Sequence, residues 1–251
     1  MAADTEEPAF YETLIWSEPE PRGDLLDPPL SRADVVAALM RIADEEGLPA
    51  VSVARLVSDL GPAGRSVSSH VRYLGDLEDL LIDGVLAELV LPEPNPEQWR
   101  SDLRTAALEL RAAIARHPWF PSLTFRRPLF GPRALDWLDH IMTVTEGAGL
   151  AIADAAAYAG IVTGHVLGAA MCEAEEEEMQ RRRAGDRTNH EVHKVLQEFL
   201  SGVTASGRHP AFSRFLQAGA QHLTPDESFE ISLDALLAGL ALRAARQSAA
   251  A

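Results

Sequence analysis

Three side chains able to hydrogen-bond or to exchange protons, Tyr158, His165 and Cys172, lie seven and seven residues apart. On a helix that spacing sets them on one side. Val162 and Ala169 share the side, within a stretch built mainly from Ala, Gly and Val. A polar stripe on such a helix has to be satisfied. It could orient a ligand in a pocket, hydrogen-bond across a dimer seam, or sit partly in water. A second group lies upstream. Trp119, Phe120, Phe125, Trp137 and His140 gather around a proline-broken segment, with Leu103 and Ile141 as further apolar positions. Aromatic walls beside irregular chain suit a pocket for an apolar or aromatic small molecule, and the same residues could simply fill a helical core. If such a pocket performed a reaction, His140, Tyr158 and His165 are the groups that could move a proton in it.

Other combinations point to no chemistry. His190 and His193 could share a helical face beside Glu191, yet no third and fourth ligand is evident, so a polar helix start is the better reading and no metal site is expected. Arg181, Arg182 and Arg183 come after the acidic run Glu175 to Glu178 and offset it. No glycine-rich phosphate loop, zinc signature or nucleophile elbow is present, and no cofactor is expected. Cys172 is the single cysteine, which forbids an intrachain disulfide and fits a reducing cytoplasm. The first residues lack the positive start and apolar run of a signal peptide. The window Leu150 to Cys172 is the most apolar, but it carries Asp154 and His165 and is rich in Ala and Gly. It reads as a tightly packed helix rather than a membrane span.

The elements that must position these residues are all helical; no alternating strand pattern persists. Residues 1–30 contain five prolines and read as an extended acidic arm, with Phe10, Tyr11 and Trp16 available to pin it to the body. From Ser31, a good helix cap, apolar residues recur at helical spacing to Gly47. Ser52 starts a second helix, Gly61-Pro62-Ala63-Gly64 is a tight turn, Ser66 to Tyr73 a short third helix and Leu77 to Leu91 a fourth. Pro92, Pro94 and Pro96 mark a joint. Further helices are expected at about 97–116, 134–146, from 154 through the acidic run, 191–200, 211–218 and from Thr224-Pro225 to about Arg246. The segment 181–188 reads as a solvated loop. The expected domains are 31–84 and 85–251.

Charge is the anomaly. The chain carries 22 Lys and Arg against 38 Asp and Glu, a net charge of −16. Residues 1–30 hold eight acids and one Arg, and residues 31–84 nine acids and five Arg. A protein that reads DNA needs a local basic face, so cations near the third helix matter. All but one of the 22 basic residues are Arg, a usage that suggests a GC-rich bacterial genome.

The segment LSRADVVAALMRIADEEGLPAVSVARLVSDLG, with SVSSHVR and DLEDLLIDGVLAEL after it, resembles the N-terminal domain of TetR-family regulators. His117-Pro118-Trp119, the run Leu129 to Leu135 and the helix from Phe229 to Leu240 resemble the C-terminal domain of one TetR subgroup. The resemblance implies an all-α fold with a three-helix helix-turn-helix domain and a larger ligand-binding and dimerisation domain. It implies a cytoplasmic homodimer that represses transcription by laying its third helix into operator DNA, relieved when a small molecule shifts the population. The seam would be a four-helix contact from about 154–176 and 226–246. The positions implied to meet DNA are Arg65, Ser66, Ser68, Ser69, His70 and Arg72. This sequence departs from the family pattern where Ser68, Ser69 and Leu74 stand in place of bulkier or cationic residues. These departures leave an alternative: a relative that keeps the fold, has lost DNA binding, and acts as an enzyme or binding protein on a bulky metabolite.

Overall fold

A computed structural model describes residues 15–17, 19–20, 29–185, 189–218 and 223–249. Phe10 and Tyr11 lie outside them, as do the side chains of Arg181 to Arg183, His190, Glu191 and His193. Every regular element among the described residues is a helix, with no strand among them. The helices are α1 (Arg32–Glu46), α2 (Val53–Leu60), α3 (Val67–His70), α4 (Leu74–Leu86), α5 (Trp99–Arg116), α6 (Phe120–Thr124), α7 (Pro132–Gly147), α8 (Ile152–Gly185), α9 (Asn189–Ala205), α10 (Pro210–Gln217) and α11 (Pro225–Ser248). They form two compact units, Met1–Ala170 with Leu236–Ala251, and Met171–Ala235.

In the first unit α1, α2 and α3 pack together and α1 packs on α4. Ser31 closes a capping box with Asp34, and Ser52 caps α2 through the Arg55 N–H. The buried stripe of α1 is Val35, Ala38, Leu39, Ile42 and Ala43, the 3.6-residue period read in the sequence. Three elements differ from expectation. The turn at 61–64 is a 3₁₀ helix (Gly61–Ser66), and it shortens the third helix to four residues. Its Gly64 is required by packing: a Cβ there would sit 2.4 Å from the Val57 carbonyl oxygen. The fourth helix starts at Leu74 and stops at Leu86. The long helix continues through Arg181 to Arg183 to Gly185 rather than opening into a loop. Residues 175–183 are strong helix formers with opposite charges four apart, which favours continuation.

The helix that carries residue 84, α4, packs on α5, α6 and α7. Nearly all of α4 is buried, including Asp76 and Asp79. At the other end Asp154, in the first turn of α8, accepts from Arg243 Nε at 3.0 Å and from Gln247, both on α11. The segment Ile152–Glu177 is long and apolar enough to cross a membrane on length and composition. Here it buries Ala155, Ala159, Val162, Val166 and Ala170 along one face. In the second unit α9 packs with α10, where Phe212 and Phe215 stack with centroids 6.2 Å apart.

Candidate functional site

The face expected to meet DNA is built by α2, the 3₁₀ turn and α3. Arg65, Ser68, Ser69 and Arg72 are exposed. Ser66 and His70 are not: both are buried, which removes them from the surface that could touch DNA. Their spacing of four puts them on the inward side of the helical turn, beside Val67 and Val71. Ser69 Oγ donates to the Ser66 carbonyl at 2.6 Å, which leaves the hydroxyl oxygen able to accept a further hydrogen bond. Of the five Arg in the domain, Arg41 and Arg55 are held by Asp59 and Glu46. Arg72 sits 3.5 Å from Asp76 and over the Tyr73 ring. The positive groups of this face are therefore Arg65 and a partly neutralised Arg72, at the start of α4 where Leu74 is exposed. A close positive charge raises phosphate affinity in a salt-dependent way, and small hydroxyls reach phosphate or base edges without steric conflict.

The second group of candidate residues is carried by α5, α6, α7 and α8. Leu103, Phe120, Trp137, Ile141 and Val162 are all buried. Trp137 Nε1 donates to Thr163 Oγ1 at 2.9 Å, and Thr163 Oγ1 in turn donates to the Ala159 carbonyl at 2.8 Å. That chain fixes α7 against α8; sequence reasoning misses Thr163 because a lone Thr in a helix carries no signal. His140, three residues beyond Trp137, is half-buried, and its Nε2 is shut off from water with no hydrogen-bond partner. Burial pushes the His140 pKa down, against the pull of Asp102 and Asp139. Burial also pushes His165 down. Both rings are thus held towards the neutral form, suited to hydrogen-bonding an uncharged ligand. Tyr158 is half-buried, and Cys172 is exposed.

Two residues expected in this wall stand elsewhere. Phe125 is 64% exposed at the end of α6. Trp119 turns towards the reading domain, where its Nε1 donates to Asp44 Oδ1 of α1 at 2.7 Å. His117 stands beside it, Nδ1 2.8 Å from Asp44 Oδ1 and Nε2 3.1 Å from Glu88 Oε1. Arg116 Nη2 reaches Glu88 at 2.7 Å. Further along, Arg127 makes two bonds to Asp79 of α4, at 2.6 and 2.9 Å. Asp83 Oδ1 accepts the Arg133 N–H at 2.7 Å at the start of α7. Gly131 is needed there, since a Cβ would meet Asp83 Oδ1 at 2.2 Å. Asp44 of α1 and Asp79 and Asp83 of α4 thus tie these helices to the segment from Trp119 to the start of α7. Composition hides them, because acidic residues on a helix ordinarily read as a solvated face.

The model for the tetracyclin repressor-like C-terminal domain matches residues 91–244. The chain is 31% identical over 226 residues to the HTH-type transcriptional repressor DrrR1 of Streptomyces coeruleorubidus, covering 88% of this chain and 80% of that protein. The chain belongs to the TetR family of transcriptional regulators. Among solved structures it is similar to apo ActR of Streptomyces coelicolor, with a TM-score of 0.69, 27% identity, and coverage of 87% of this chain and 98% of that one. ActR in complex with actinorhodin gives a TM-score of 0.66 and 26% identity over 84% and 95% of the two chains. The fold is the all-α TetR fold. These relatives are regulators, which gives the enzyme alternative no support, and this TetR-type chain is a ligand-responsive transcriptional regulator.

Proposed function

We propose that the chain is a cytoplasmic homodimeric repressor whose reading domain is residues 31–84 and whose ligand and dimerisation domain is residues 85–251. Arg65, Ser68, Ser69 and Arg72 meet the operator. Dimerisation uses the outer faces of α8 and α11. On α8 that face carries Ala153, Ala157, Gly160 and Gly164, all exposed, and on α11 Ala238, Gly239 and Leu242. Small residues let helix backbones approach closely, and a symmetric pair of reading heads requires such a seam.

The ligand is a largely apolar or aromatic small molecule, bound by Leu103, Phe120, Trp137, Ile141, Val162, His140, Tyr158 and His165. The observation that carries this reading is the unpartnered Nε2 of His140, three residues along α7 from Trp137, whose ring bonds Thr163 and joins α7 to α8. A buried polar atom of that kind is stabilised when a ligand supplies its hydrogen bond. The test is a mobility shift on the DNA upstream of the protein's own coding sequence, at about 50 mM and about 200 mM salt. A sequence-specific shift, released by actinorhodin as the probe, is expected. No specific shift at either salt overturns the reading.

A further inference from the structure

Among the described residues of the N-terminal arm, Glu20 and Trp16 meet the start of α1. Glu20 Oε1 accepts the backbone N–H of Arg32, the first residue of α1. The Arg32 guanidinium lies 5.3 Å over the Trp16 ring, and its Nε is shut off from water without a partner. Ile15 and Leu30 on either side of this contact are buried. Beneath it, at the C-terminal end of α3, His70 is only 4% exposed and both ring nitrogens lack a hydrogen bond. The Leu30 backbone stands against the ring, and Glu20, Arg32 and Asp34 lie within electrostatic reach of it.

A helix start with an adjacent guanidinium favours an anion through the helix dipole, and at α1, where Ser31 and Asp34 close the capping box, the Arg32 N–H is a donor outside that box. In a DNA-reading domain the anion available from outside is a backbone phosphate. Here that place is taken by a carboxylate of the same chain. Trp16 holds Arg32 over its ring face, and the stretch that supplies Glu20 and Trp16 has eight acids and one Arg in its 30 residues. We propose that the acidic arm is an intramolecular competitor of DNA: Glu20 occupies, and Trp16 holds shut, a phosphate contact at the start of α1. This inference rests on the proposed DNA binding and adds a regulation to it. The arm sets the affinity of the reading head, and DNA must displace Glu20 to gain Arg32.

The test uses the full chain and two probes, the upstream DNA and a random-sequence duplex of equal length. Glu20→Gln keeps an oxygen able to accept the Arg32 N–H and removes only the charge. Trp16→Ala releases the guanidinium without touching Glu20. Both variants are expected to bind roughly threefold to tenfold tighter than the parent at about 50 mM salt, with the gain fading at about 200 mM as screening weakens the competition. A gain on the random duplex without any specific shift of the upstream DNA supports the arm and sinks the operator reading. Specific binding by the parent with no gain in either variant sinks the arm and keeps the operator reading. Weaker binding by Glu20→Gln also overturns the proposal, since Glu20 would then serve only to hold α1 in place. No binding to either probe by any protein overturns both.

Discussion

The indole N–H of Trp119 donates to Asp44 Oδ1 at 2.7 Å, and the same oxygen lies 2.8 Å from His117 Nδ1. One carboxylate on α1 therefore satisfies two rings from the corner between α5 and α6. Asp44→Ala leaves both rings short of a partner. It is expected to cost about 1–3 kcal/mol in urea unfolding, whereas Trp119→Phe, which removes one bond, costs about 0.5–1.5 kcal/mol. Equal losses in the two variants would mean that His117 gains nothing from Asp44.

Arg127 and Asp79 form the more enclosed contact between the reading helices and the corner, with side chains 16% and 7% exposed. Removing one partner strands a desolvated charge. Arg127→Met is expected to destabilise by about 3–5 kcal/mol, and the Asp79→Leu, Arg127→Met double variant to recover most of that loss, as apolar replacements of buried pairs do. Denaturant midpoints of the two proteins measure this. A single-variant loss below about 1 kcal/mol would show the pair to be screened like a surface ion pair.

The framework is legible where burial follows a period. Val35, Leu39 and Ile42 recur at helical spacing and lie at 0% exposure. Ser31, Ser52 and the Thr224-Pro225 start are local capping chemistry and need no tertiary information. The reading face is legible only in part: spacing by four explains why Ser66 and His70 turn inward, but the exposed side of a four-residue helix is set by what packs beneath it. Trp119 stands away from its expected wall for a related reason. Aromatic character shows that a side chain will be covered, not by which neighbour, and the deciding group, Asp44, is 75 residues away in sequence. The acids of α4 give no sign of their role, since Asp79 and Asp83 resemble a solvated helix face until Arg127 and the start of α7 are set against them.

Acidification acts on this protein through its enclosed imidazoles. Burial pushes His70, His140 and His165 below the ordinary value of 6.5. A histidine with a depressed folded pKa binds its proton first in the unfolded chain. Its contribution is full above the unfolded pKa and is lost as pH falls from there towards the folded pKa. Asp83 works the other way, because burial raises it above 3.8 and its cost is relieved as pH falls through its folded value. The unfolding free energy is expected to drop between about pH 7.5 and about pH 5.5, and His140→Gln to flatten part of that slope. A slope unchanged in His140→Gln would remove that ring from the account.

Gly160, Gly164 and Gly168 recur every four residues on α8, and a Cβ added at any of them meets nothing within 4 Å of this protomer. Glycine inside a helix costs about 1 kcal/mol relative to alanine, so three on one stripe oppose the stability of the isolated helix. The proposed seam supplies a reason for them, since a partner helix can approach closely only where side chains are absent. Gly164→Ala is therefore expected to keep or raise thermal stability of the protomer. Gly164→Arg also fits the protomer, yet by two-fold symmetry it brings two guanidinium groups into one contact. Light scattering after size exclusion should show its mass fall from two chains to one with helical circular dichroism unchanged. Operator affinity should fall with it, because each reading head then binds alone. A Gly164→Arg protein that stays dimeric would move the seam off this face of α8, and a parent protein that is already monomeric would remove the seam altogether.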